Sequence, residues 1–244
     1  MPDATEVIPE PISPPISATA SKPFDRQRWF EVFLVLAVAF VRPLINSIYL
    51  LSNGVSAQPR YTNFRWWSGV IEEVVALLLL GYVLSRRKVS LKNLGLRWSF
   101  RDVGVGLLLT FGAYGSYFVG SMFVYGFRVA MYGHPTRVPS GNEFFGHPSM
   151  AAIPYFILSP FFEEIIVRAY LMTEIVELTG SSVLAIVASV AVQGAYHLYY
   201  GWAGAIGTSF IFLAFALFYA WTRRALPVVM AHEFIDMVAL IRIW

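Results

Sequence analysis

Glu163, Glu164 and Arg168 lie inside an apolar run long enough to cross a bilayer. Charges at such depth are expensive, and they mark functional positions whose partners must be found. On a helix Glu164 and Arg168 stand one turn apart and can pair directly, whereas Glu163 points about 100° away from Glu164. One carboxylate is thus neutralised by its own helix, and the other must find a partner elsewhere. His197 is the candidate. Glu163 precedes Gly180 by seventeen residues and His197 follows it by seventeen. Two helical arms turning at Thr179-Gly180 therefore bring the acid and the imidazole to one depth. Farther along, His232 and Asp236 are spaced to share a helix face, with Glu233 directed elsewhere.

Each group alone has a structural account: a buried histidine is commonly a satisfied core residue, and an Asp one turn on can simply orient it. Two Glu, two His, one Asp and one Arg in three neighbouring apolar segments are harder to excuse together, because each costs a few kcal/mol in a membrane. The set points to a buried reaction centre.

Glu163-Glu164-x-x-x-Arg168, then His197, then His232-x-x-x-Asp236 resembles the CPBP family of intramembrane proteases. That family, also called Abi, includes CAAX prenyl endopeptidases and bacteriocin-processing proteins. The resemblance covers roughly residues 150–244, and Leu94-Gly95-Leu96-Arg97 upstream is also similar to what such proteins carry. It implies an all-helical catalytic core with the site enclosed between helices and an endopeptidase activity. Two positions depart from the family pattern. Gln193 stands where Phe is usual, and is expected to change the pocket's shape or to add a hydrogen-bond donor. Asp236 stands where Asn is usual. An Asn amide can donate to an oxyanion, whereas an ionised Asp only accepts, so Asp236 is expected to be neutral or to hold His232 as the donor; the second role is favoured.

Peptide hydrolysis needs an activated water and a stabilised oxyanion. The chain has no cysteine, which excludes thiolate catalysis and disulfides, and no Ser–His–Asp arrangement is visible. Direct attack by water is the economical choice. Glu163 is then the general base, His197 helps to hold the water, and His232 with Asp236 faces the oxyanion. Glu164, Arg168 and Gln193 support them. The same Glu163, His197, His232 and Asp236 could instead hold a zinc ion, although position 236 is Asp where an H-E-x-x-H motif needs His. The favoured version requires no cofactor.

The elements that must position these residues are apolar helices. Of 244 residues, 57% are hydrophobic and 14% charged, against roughly 25% charged in soluble domains. The expected fold is an all-α polytopic membrane bundle, with seven spans near 29–51, 66–85, 102–125, 150–178, 181–200, 202–222 and 226–243. All seven Trp fall near the ends of these segments, as interfacial anchors do. Residues 1–28, rich in Pro, Ser and Ala, are expected to form a disordered cytoplasmic tail, ahead of a helical domain at 29–244. Pro43, beside Arg42, is expected to kink the first span.

Counting Lys and Arg in the connections gives eleven on the side of the N-terminus (Lys22, Arg26, Arg28, the 86–101 loop, Arg223 and Arg224). The other side has five: Arg60, Arg65, Arg128, Arg137 and Arg242. This predicts a cytoplasmic N-terminus in a bacterial cytoplasmic membrane, with the 86–101 loop a basic amphipathic element on the inner leaflet. The 126–149 loop, with His134 and His147, is expected to face solvent outside. A second acidic pair, Glu72-Glu73, lacks an arginine one turn on; close behind Trp66-Trp67, it is expected at the outer interface or on a cavity wall, and is assigned a structural role. His232 lies about eight residues, roughly 12 Å, past Arg224, whereas Glu163 lies about 25 Å from the Gly180 turn. The two meet only if the 180 hairpin projects by about 12 Å, which predicts a site near the cytoplasmic leaflet and entered from it.

The partners expected are the lipid bilayer and a peptide or protein substrate, of which a lipid-anchored one is a family option; +3 net charge is no nucleic-acid signature. Competing functions on the same residues are a non-catalytic immunity or assembly factor and a small transporter relaying protons through the buried acids. No internal repeat supports the transporter.

Overall fold

The computed structural model describes residues 25–57, 61–135 and 138–244. The expected tail at 1–24, and Lys22, Arg60 and Arg137 of the charge count, lie outside the described residues. Nine α-helical segments are present among those described, with no strand: α1 (Arg26–Asn53), α2 (Asn63–Arg86), α3 (Phe100–Tyr132), α4 (Gly141–Phe145), α5 (Ala152–Glu164), α6 (Thr173–Thr179), α7 (Ser182–Tyr196), α8 (Gly201–Thr222) and α9 (Leu226–Ile243). A π-helical stretch, Ile165–Met172, joins α5 to α6 without a break. Such wider turns inside α-helices recur at functional sites.

All seven apolar segments read from the sequence are helical, but among the described residues four helices are long and apolar enough to cross a membrane: Arg26–Asn53, Asn63–Arg86, Phe100–Tyr132 and Leu198–Thr222. The helix at Ser182–Tyr196 is apolar but shorter. Several boundaries differ from the expectation. Helix α1 takes in residues 26–28 of the supposed tail, because Asp25 caps it by accepting from the Arg28 N–H at 3.0 Å, and it runs on through Pro43. Helix α3 extends to Tyr132, so the following loop is shorter and holds α4, which starts in a capping box between Ser140 and Glu143. Trp66 is no interfacial anchor: it is 1% exposed and centres an aromatic cluster with Tyr61, Phe145 and Phe156. Trp98, Trp202, Trp221 and Trp244 are exposed.

The turn between α6 and α7 needs Gly180, whose φ of +75° ends α6, and Ser181 at once caps α7 by accepting from Leu184 N–H at 3.1 Å. At this basic end of the bundle Arg28 reaches Glu174 and Glu177, both at 2.7 Å, and Arg87 reaches Glu174 at 2.8 Å. Arg223 donates to Thr173 Oγ1 at 3.2 Å and Arg224 pairs with Asp102. Arg223, just past the end of α8, thus reaches the first residue of α6.

The basic 86–101 element does not simply rest on a leaflet. Leu94 is 2% exposed, its carbonyl accepts from Tyr219 Oη at 3.2 Å, and the Gly95 carbonyl accepts from Ala225 N–H at 3.1 Å. It plugs the end of α8 and the start of α9. Gly95 has φ +81°, and a Cβ there would lie 2.1 Å from the Arg223 carbonyl oxygen. We expect Gly95→Ala to lower the melting temperature of the detergent-solubilised protein by several degrees. The backbone conformation alone costs about 1–2 kcal/mol, and thermal unfolding followed by tryptophan fluorescence reads it.

Candidate active site

Arg168 is fully buried, and its surroundings explain how a charge is tolerated there. Its Nε lies 3.3 Å from Glu164 Oε2, one Nη donates to Gln193 Oε1 and the other to the Phe212 carbonyl at 3.1 Å. The rings of Phe212 and Phe215 pack over it at 5.6 and 6.0 Å. Glu164, also fully buried, turns its second oxygen to His232 Nδ1 at 2.8 Å. The pair expected within one helix therefore forms, and it extends to α9.

Glu163 faces the other way and is half-buried. Its Oε2 accepts from Tyr196 Oη at 2.6 Å and from Gln193 Nε2 at 3.1 Å. Both donors come from α7, as equal arms about Gly180 require. Gln193 thus supplies the donor that its departure from the family pattern suggested, and it links Arg168 to Glu163 through one amide. His197 ends α7, with Nδ1 2.9 Å from the Gln193 carbonyl oxygen. The Phe212 ring stands between the two imidazoles, at 4.8 Å from His197 and 6.4 Å from His232.

Glu163 and His197 line one cavity of about 420 Å³, shared with Glu72, Glu73, Ser159 and Tyr155. His232 is not among the residues that line it, and its Nδ1 is turned to Glu164. Asp236 does not hold His232 by a hydrogen bond: its Oδ1 is 3.7 Å from Nε2, and Glu164 orients the ring instead. The cause is the face of α9, which presents Nδ1 to Glu164 and leaves Nε2 and Asp236 on the side toward the cavity acids.

The cavity's position also differs from the expectation. Glu163 is roughly 15 Å along the continuous helix from Glu174 at the basic end. From there the lining runs away from the basic end, to Tyr61 and Arg65 at the start of α2 and Phe144-Phe145 of α4. The lining thus extends toward the end of the bundle opposite the basic one, whereas the expected entrance was on the basic side. The error lay in referring the whole set to the depth of His232, when Glu163 faces a space enclosed by the far halves of α1 and α2. Glu72 and Glu73 line this cavity, one of the two places expected for them, and the loop containing α4 does more than face solvent, since it adds Phe144 and Phe145 to the wall. Glu72 is paired with Arg42 of α1 rather than with its own helix, which is why the spacing within α2 gave no hint. Tyr196 was also missed, although it lies three residues beyond Gln193 and so shares its helix face.

Among the described residues no group of three or more His, Asp and Glu is placed to hold a metal. His232 Nδ1 is committed to Glu164, His197 Nδ1 to a carbonyl and Glu163 Oε2 to two donors.

Residues 146–238 match the family model of the type II CAAX prenyl endopeptidases, Rce1-like. The chain carries an Rce1-like segment. It spans α5 to most of α9 and so contains Glu163, Glu164, Arg168, Gln193, His197, His232 and Asp236, in agreement with the resemblance read from those motifs. The cavity walls from α1 and α2, with Glu72 and Glu73, fall outside the Rce1-like segment. No curated protein and no solved structure matches the chain. Together with four helices fit to cross a membrane, the Rce1-like match makes this an integral membrane protein.

Proposed function

We propose that the protein is an intramembrane endopeptidase in which Glu163 activates water against a peptide bond. The observation that carries this is the placement of Glu163 and His197 on one cavity wall at mid-bundle, within the segment that matches CAAX prenyl endopeptidases. Tyr196 and Gln193 fix the carboxylate through Oε2, which leaves Oε1 to take the proton from water. His197 helps to hold that water. His232, fixed through Nδ1 by Glu164, offers Nε2 to the developing oxyanion, with Asp236 beside it. Glu164, Arg168 and Gln193 keep these groups in register. The reaction needs no metal.

The substrate in this reading is a membrane-associated peptide or protein, with a lipid-anchored one favoured by the family. Seven helices cross or enter the bilayer, the N-terminus lies in the cytoplasm, and the catalytic core occupies 150–244. Incubating the detergent-purified protein with a peptide library, with and without a chelator, tests this. Chelator-insensitive cleavage supports it. Cleavage lost to the chelator and restored by zinc overturns the metal-free version, and no cleavage of any peptide favours the non-catalytic scaffold.

A further inference from the structure

Glu73 enters none of the roles above, yet it lines the same cavity as Glu163. It is 6% exposed, and its Oε2 has no hydrogen-bond partner among the described residues. Beside it in the same cavity is Ser159, which stands on α5 one turn before Glu163 and on the same face. Glu73 is thus held beside the base by the helix that carries the base, and its charge would be felt by both Glu163 and Asp236.

The neighbouring Glu72, Glu163 and Glu164 each have partners that Glu73 lacks. Glu72 has Arg42, Glu164 has Arg168 and His232, and Glu163 has two donors. Glu73 has a serine hydroxyl and an orphan oxygen. An uncompensated carboxylate is costly to bury, whereas the acid form is tolerated and carries a proton to give. Hydrolysis of an amide requires such a donor, because an amine leaves poorly as an anion.

We propose that Glu73 is a second catalytic carboxyl, the general acid that protonates the leaving amine. This rests on the protease reading. Glu163 takes one proton from water as the water oxygen bonds to the scissile carbonyl carbon. When the tetrahedral adduct collapses, the C–N bond breaks with its electron pair on nitrogen, and the Glu73 carboxyl delivers its proton there. A carboxylic acid and an amine leave, and the proton on Glu163 passes to Glu73 to restore both groups. The rival is Glu163 carrying the proton alone.

Two substrates separate these: a peptide that the wild type cleaves, and the p-nitrophenyl ester ending at the same residue, whose leaving group needs no proton. Glu73→Gln is expected to lose about 10²–10⁴-fold in kcat on the peptide and no more than a few-fold on the ester. Glu163→Gln should lose on both, and Glu73→Asp should regain part of the peptide rate. Equal losses of Glu73→Gln on both substrates, or peptide cleavage within a few-fold of wild type, would overturn the assignment. Should Glu73→Gln fail to fold, Ser159→Ala is read by the same ratio: a peptide-selective loss supports it and an even loss sinks it. A wild type that cleaves no peptide removes the protease reading and this proposal together, whereas an active wild type with an indifferent Glu73→Gln removes the proposal alone.

Discussion

Replacing Glu163 by Gln is expected to abolish peptide cleavage while leaving the fold in place. The amide cannot take a proton from water, and general-base catalysis alone is worth roughly 10²–10⁴-fold. The Gln carbonyl can still accept from Tyr196 Oη, which now donates to the carboxylate at 2.6 Å, so the packing of α5 against α7 should survive. Initial rates on a cleaved peptide, with the melting temperature of the same preparation, measure the two halves. A variant retaining more than about a tenth of wild-type kcat, above the range for a lost base, would mean that Glu163 is not the base.

Arg168→Ala is expected to act on stability instead. The guanidinium has no exposure, and it satisfies Glu164, the Gln193 amide oxygen and the Phe212 carbonyl at once. Removing one partner of a buried ion pair strands the other charge and costs about 3–5 kcal/mol. Yield in detergent and the melting temperature should both fall sharply, and activity should be lost with the fold. Arg168→Lys is a poor rescue, because one ammonium cannot reach three acceptors arranged around a planar fork. An Arg168→Ala protein of undiminished stability would show that His232 alone can neutralise Glu164.

Much of this centre was legible without coordinates. The Glu164–Arg168 pair follows from one turn of helix, and the level meeting of Glu163 with the end of α7 follows from equal counts about Gly180. What spacing could not reveal is which faces of different helices look at each other. Glu73 lies ninety residues before Glu163, and only the packing of α2 against α5, through Ser159, puts both on one wall. Asp236 was assigned to His232 because they share a helix, yet the stronger bond to that ring comes from Glu164, sixty-eight residues away. The cavity's far-side position was lost for a related reason, since helix rise gives depth but not the direction a side chain faces. Gln193 succeeded as an inference because a donor replacing a phenyl ring in a nest of carboxylates has few other things to do.

The pairing of Glu164 with Arg168 also bears on how the chain is made. Its partner His232 is sixty-eight residues downstream, so α9 does not yet exist when α5 leaves the ribosome. During that interval the helix carries its own counter-ion one turn away, and this part of it can enter lipid already neutral. The later arrival of α7, with Gln193, and then of α9, with His232, converts a self-contained pair into a shared one. The reaction centre is thus assembled around a charge that was made safe before any neighbour was available to receive it.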